Sequence, residues 1–252
     1  MMNYIPYGRQ EVTENDIKEV TKVLRSDFLT QGPKVEIFEK SVAEEVEARC
    51  GVAVNSATSA LHLACLALGL REGDHLWTSP TTFVASANCG LYCGAQIDFV
   101  DIDRKTGLMC VKELELKLEK AKKESRLPKI VIPVHLSGAS CDMKAINKLA
   151  QKYNFSVIED ASHAIGGTYE NKPVGSCEYS DITIFSFHPV KIITTGEGGM
   201  AVTNSELLSE KMKLLRSHGI TKDERDFQNK NMGLWYYEQK ELGYNYRMND
   251  IE

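Results

Sequence analysis

The sequence predicts an α/β fold built on a mostly parallel sheet that is covered on both faces. From about residue 50, short apolar or β-branched runs alternate with longer amphipathic ones, the order of strands joined by crossover helices. The short runs are also too apolar to leave one face in water. The 252 residues can bury a sizeable core, and no internal repeat, low-complexity tract or Pro/Ser-rich linker marks a boundary, so a single domain is expected.

Before residue 50, Thr13 can cap a helix carrying Ile17, Val20 and Leu24, and Pro33 sits where a second helix, carrying Val35, Phe38 and Val42, begins. The segment SDFLTQG at 26–32 reads as an exposed loop between them. Strands are expected at 51–54 (GVAV), 75–79 (HLWTS), 96–102 (QIDFVDI), 129–136 (KIVIPVHL), 155–160 (FSVIED), 181–187 (DITIFSF) and 199–204 (GMAVTN). Helices are expected at about 57–69, 81–93, 111–124, 142–153 and 205–217, each with apolar residues three and four apart and several with start signals such as Asp142. The final run, GYNYRMNDIE at 243–252, reads as the entrance to another helix, with a further C-terminal portion expected beyond it.

Composition narrows the function. Apolar residues make up 42% and charged residues 26%, the balance of an ordinary globular chain. The formal charge is −5 and the basic residues are scattered, which disfavours nucleic acid as a partner. No apolar run approaches the roughly eighteen residues of a membrane span, and the opening MMNYIPYGRQEVTEN lacks a signal peptide's apolar stretch, so a cytoplasmic protein is expected. The seven cysteines form no CxxC pair and read as reduced, mostly buried thiols. Cys89 and Cys93 have helical spacing, but no histidine or second cysteine pair accompanies them, so no metal site is expected.

The stretch FSFHPVKIITTGEGGM at 185–200 carries the most chemistry. An apolar strand delivers Lys191 into a turn rich in Thr and Gly. A lysine in a partly desolvated pocket is more often neutral, and the neutral amine attacks an aldehyde to form an imine. Taken alone, Lys191 could equally be a surface residue in a strand connection. Asp160 ends the run SVIED, at the sheet edge where open α/β sheets bind ligands. A carboxylate there could hold the ring nitrogen of pyridoxal phosphate protonated, or it could simply cap a helix. Ser162 and His163 could reach the ring face or its 3-hydroxyl, or be solvated loop residues.

NSATSA at 55–60 follows a buried strand and opens a helix, so its N–H groups and hydroxyls suit a phosphate as well as they suit a plain N-cap. Ser186 could add a hydroxyl. Phe83, in PTTF, could stack on a flat ring or pack in the core. No GxGxxG or GxxxxGK[ST] occurs, which disfavours a dinucleotide fold and a nucleotide triphosphatase.

Together NSATSAL, PTTFVASAN, IEDASHAIGG, FSFHPVKIITTGEGGM and GYNYRMND resemble, in order and spacing, the sugar-nucleotide aminotransferases of the DegT/DnrJ/StrS family. The resemblance runs over nearly the whole chain. It implies the large domain of the aspartate aminotransferase-like, fold type I pyridoxal-phosphate enzymes, with a seven-stranded sheet, and places residues 1–252 in an N-terminal segment plus that large domain, the smaller C-terminal domain being absent.

The resemblance further implies that Lys191 bonds pyridoxal 5'-phosphate, Asp160 pairs with its pyridine nitrogen, His163 lies near the 3-hydroxyl, Phe83 stacks on the ring, and Ala57, Thr58 and Ser186 hold phosphate. Family members are homodimers with shared sites, and Asn245 matches the asparagine supplied across the dimer. Within the family the likeness is to members that aminate a UDP-linked keto-sugar at C4 in pseudaminic acid biosynthesis, which implies substrate contacts from Tyr7, Asp27, Phe28, Leu29, Thr30, Ala57, Ser186 and Asn245, with L-glutamate as amino donor. An aminotransferase for another nucleotide sugar, or a cofactor-binding chain without turnover, stays open. The family's dehydratase branch, in which histidine replaces the lysine, is disfavoured by Lys191.

Overall fold

The structure is a computed structural model that describes residues 5, 6, 8–229, 232, 233 and 235–252. Its helices are α1 (Glu14–Leu24), α2 (Pro33–Glu45), α3 (Ala57–Ala67), α4 (Ala85–Tyr92), α5 (Val111–Lys123), α6 (Met143–Tyr153) and α7 (Glu206–Arg216). The strands are β1 (Cys50–Val54), β2 (His75–Thr78), β3 (Gln96–Phe99), β4 (Ile130–Ile132), β5 (Ser156–Asp160), the short pair β6 (Thr168–Tyr169) and β7 (Lys172–Pro173), β8 (Ile182–Ser186), β9 (Gly199–Thr203), and a second short pair β10 (Ile220–Thr221) and β11 (Glu238–Gln239).

Seven strands form one sheet in the order β1-β9-β8-β5-β4-β2-β3. Pairing is parallel from β8 to β3, and only β9 runs against its neighbours. All seven expected strands are present, and the sheet is mostly parallel. The step from β8 to β9 is a loop, as the Thr/Gly-rich turn predicted. One expectation needs correction: β3 is a largely exposed edge strand rather than a covered one.

Alternation along the strands divides the core. Val52, Leu76, Ile132, Ile158 and Ile184 face α3, α4 and α7, while Trp77, Val131 and Val157 face α5 and α6, and Ala53, Phe185 and Val202 face α2. Both faces are thus buried, which is why these runs lack the polar alternation of a one-sided strand.

Helix starts follow local chemistry. Thr13 and Asp16 close a reciprocal capping box on α1, and Ser56, Asp142 and Ser205 cap α3, α6 and α7. Pro33 opens α2 as expected, but Gly32 brings no capping side chain. Asp250 supplies it from far along the chain, its carboxylate accepting from the N–H groups of Gly32 and Lys34 at 2.8 and 3.0 Å. The expected strand at 129–136 stops at Ile132, because Pro133 has no N–H to donate and the chain turns into a 3-10 segment at Leu136–Gly138. Helix α4 starts at Ala85, not 81, so Phe83 precedes it.

The run 243–252 forms no helical turn. Asn249 and Glu252 nevertheless make a reciprocal capping box, with Asn249 Oδ1 accepting from the N–H groups of Ile251 and Glu252, and Glu252 Oε2 from that of Asn249. Among the described residues, no helix is long and apolar enough to cross a membrane.

Candidate active site

The C-terminal ends of β4, β5 and β8, the N-terminus of α3 and the loop from β8 to β9 enclose a cavity of about 280 Å³. Its lining includes Lys191, Asp160, His163, Ser186, Ala57, Thr58 and Phe83. The structure therefore brings together seven residues that the sequence singled out from four separate segments.

Lys191 is placed by the loop at residues 187–198. Phe187 N–H donates to Gly198 O at 3.0 Å, and the Phe187 carbonyl accepts from the Thr195 N–H at 3.0 Å and the Thr194 hydroxyl at 2.8 Å. The Thr/Gly-rich turn thus closes on the end of β8, while the Lys191 N–H bonds His188 O at 2.9 Å. Burial pushes the Lys191 ammonium below its usual value, and the Asp160 carboxylate opposes that shift.

Asp160, 5% exposed, ends β5. Its Oδ1 accepts from the Ser162 hydroxyl at 2.6 Å and the Ser162 N–H at 3.2 Å, and Oδ2 from the Ser86 hydroxyl at 2.6 Å. Three donors without a cation leave a buried carboxylate that still faces the cavity and can take a positively charged partner.

His163 Nδ1 accepts from the Ser137 N–H at 3.3 Å, so the ring proton of the neutral form sits on Nε2. Burial, then the positive charge of Lys191, holds the imidazole below its ordinary value, with Asp160 opposing. Lys191, Asp160 and His163 thus feel one another's charge across one cavity.

The opposite wall is the start of α3. Ser56 caps it, and Ala57 and Thr58 are its first residues, with the helix dipole directed at the cavity. Gly199 in β9, paired in register with Ser186, permits this approach. A Cβ on Gly199 would lie 2.4 Å from both Ala57 N and Ser56 C.

Phe83 lines the mouth of the cavity and is 73% exposed rather than packed in the core. Of the expected substrate contacts, Ala57 and Ser186 line the cavity, and the others described are not gathered here. Asp27, Phe28, Leu29 and Thr30 form an exposed loop held against the chain's last residues by the Thr30–Asn249 bridge and the Asp250 N–H to Leu29 O bond. Asn245 is exposed, bridges Ser217 and lies outside the cavity lining. Tyr7 lies outside the described residues.

Sequence reasoning missed Ser86, Thr82, His188 and Glu197, which line the cavity or hold its carboxylate. Ser86 is the one serine of α4. Its partner Asp160 is 74 residues away, and nothing local signals the contact.

The sequence model of the DegT/DnrJ/EryC1/StrS aminotransferase family matches residues 10–252. A UDP-4-amino-4,6-dideoxy-N-acetyl-beta-L-altrosamine transaminase of Campylobacter jejuni is 45% identical over 98% of this chain and 61% of its own length. Helicobacter pylori PseC, an aminotransferase involved in the biosynthesis of pseudoaminic acid, superposes with a TM-score of 0.87 at 35% identity, over 99% of this chain and 63% of that one. NtdA of Bacillus subtilis, solved with its cofactor PMP, superposes with a TM-score of 0.77 at 30% identity, over 95% of this chain and 51% of that one. The chain thus spans about three fifths of the length of the curated relatives it matches.

Proposed function

The chain belongs to the DegT/DnrJ/EryC1/StrS aminotransferase family, and on that premise we propose that the protein moves an amino group from L-glutamate to C4 of a UDP-linked 4-keto-6-deoxy-N-acetylhexosamine, in pseudaminic acid biosynthesis, using pyridoxal 5'-phosphate. One observation carries this reading: a partly desolvated amine, Lys191, and a buried carboxylate without a cation, Asp160, line the same cavity as a helix N-terminus. Those three groups match the three ends of the cofactor, its aldehyde, its pyridine nitrogen and its phosphate.

When bound, pyridoxal phosphate supplies an aldehyde that captures amines and a protonated ring that takes up the electrons of a broken C–H bond. The chain's own residues do the rest. Lys191, more often neutral because of burial, would hold the cofactor through its aldehyde. With an amino donor in place, the free Lys191 amine would take and return the proton of the donor's α-carbon. Asp160, oriented by Ser86 and Ser162, holds the ring nitrogen protonated. His163, with its proton on Nε2, offers a donor to the 3-oxygen. Ala57, Thr58 and Ser186 hold the phosphate at the positive end of α3.

The same amine working in reverse delivers the amino group to the sugar, so two half-reactions share one site and ping-pong kinetics follow. The working unit is a homodimer. Exposed apolar residues around the cavity mouth, Phe83, Val84, Val190, Ile192 and Ile193, support closure by a second copy, and Asn245 is the residue offered across that dimer. The sugar nucleotide is held by Tyr7 and by Asp27, Phe28, Leu29 and Thr30, together with Ala57, Ser186 and Asn245.

The test uses full-length protein. Adding L-glutamate to the protein loaded with pyridoxal phosphate should convert the bound cofactor to its amine form, and a UDP-linked 4-keto sugar should convert it back. Bound cofactor that glutamate leaves unchanged overturns the transaminase reading. Reconversion by a dTDP-linked sugar alone overturns the UDP assignment.

A further inference from the structure

We propose that His62 is a positioning residue for the active site of the partner subunit: it pegs the extended segment around Tyr244 and Tyr246 in one register, and so sets the side from which Asn245 is offered across the dimer. That role rests on the homodimer with shared sites proposed above.

The segment lies along the end of α7. Tyr244 N–H donates to Leu215 O at 2.7 Å, Tyr246 N–H to Arg216 O at 3.1 Å, and His218 N–H to Tyr244 O at 2.8 Å, around the Ser217–Asn245 bridge. Asn55, just before the cap of α3, donates its N–H to Tyr246 O at 2.9 Å. In an extended chain successive side chains point to opposite faces. Tyr244 and Tyr246 both turn to His62, with ring centroids 4.9 and 6.0 Å from its own, and they stack on each other at 5.0 Å. Asn245 between them therefore faces the other way and is exposed. A slip of one residue would exchange the two faces, burying Asn245 and exposing the tyrosines.

The imidazole is a costly choice for packing alone. His62 sits on α3 and is 4% exposed. Its Nδ1 is 3.2 Å from the Tyr246 hydroxyl, but its Nε2 is buried with no hydrogen-bond partner among the described residues. A buried polar atom without a partner lowers stability, and a leucine here would avoid that loss. What the imidazole adds over leucine is the bond to Tyr246 and the ring contacts with Tyr244, Tyr246 and, at 5.3 Å, Tyr92. None of His62, Tyr244, Asn245 and Tyr246 lines the cavity of Lys191 in the same chain, which fits service to the partner's site rather than to their own.

The test uses full-length protein. His62→Leu removes the bond and the ring contacts together with the unpartnered nitrogen. Its melting temperature should equal or exceed the parent's while turnover falls roughly tenfold, a split that a merely structural role would not give. A mixed dimer is then isolated with two affinity tags, one protomer carrying His62→Leu and the other Lys191→Ala. One of its sites combines Lys191 of the first protomer with Asn245 of the second, whose His62 is intact. That site should work, giving about half the turnover of the parent dimer. A mixed dimer of Asn245→Ala with Lys191→Ala is the control and regains the same half when sites are shared.

If the control regains turnover and the His62→Leu mixed dimer does not, or if the His62→Leu homodimer keeps parent turnover, the role of His62 is overturned while shared sites stand. If neither mixed dimer regains turnover, shared sites are overturned and the role of His62 with them. Should His62→Leu fail to fold, Tyr246→Phe, which loses only the hydroxyl, takes its place with an expected loss of roughly two- to tenfold.

Discussion

The Ser86 hydroxyl donates a 2.6 Å hydrogen bond to Asp160 Oδ2, joining the first turn of α4 to the end of β5. Hydrogen bonds to a buried charged group contribute about 1.5–3 kcal/mol. Ser86→Ala should therefore weaken pyridoxal phosphate binding roughly tenfold or more, read by fluorescence titration of the protein stripped of cofactor. Unchanged affinity would mean that Ser162 alone holds the carboxylate.

Lys191→Ala removes the only lysine amine lining the cavity among the described residues. The absorbance of covalently held cofactor, bleached by borohydride in the parent protein, should be missing, and turnover by full-length protein should fall by about 10³ or more. A variant that kept both properties would remove Lys191 from the mechanism.

Burial places the Lys191 amine below the 10.5 of an ordinary lysine. A depressed amine pKa means that the folded chain loses this proton at lower pH than the unfolded chain. The cost of burying the charge is felt at low pH and is relieved as pH rises through the folded value. Cofactor uptake by the stripped protein, followed by stopped-flow absorbance, should accordingly rise with pH and level off before 10.5. A midpoint at or above that value contradicts a desolvated Lys191.

Gly199→Ala puts a methyl 2.4 Å from Ala57 N and Ser56 C. Both are backbone atoms, so the start of α3 must move away from β9. Overpacking of this kind costs about 1–3 kcal/mol. The expected result is a lowered melting temperature together with weakened cofactor binding, and intact binding would show that α3 does not contribute to the phosphate site.

Asp250→Ala removes the side-chain cap of α2, which also fixes Gly32 at the end of the loop that carries Asp27–Thr30, while the backbone bond from Asp250 N–H to Leu29 O stays. Loss of a cap costs about 1 kcal/mol, visible in thermal unfolding. In full-length protein the KM for the sugar nucleotide should rise while kcat holds. An unchanged KM would show that this loop does not reach the substrate.

Short-range signals in the sequence were enough to place the seven strands, the caps at Thr13 and Asp142 and within NSATSA, and the lysine turn after β8, because each depends on periodicity or on a hydrogen bond spanning a few residues. Seven of the residues lining the cavity were legible from local motifs: they sit at strand ends, at a helix start and in the turns that follow strands. The tertiary structure alone decided the reversal of β9, the capping of α2 by Asp250 and the grip of Ser86 on Asp160. Each of these pairs groups that are far apart in the chain, and such contacts come from packing two layers of helices on one sheet, for which local sequence carries no code.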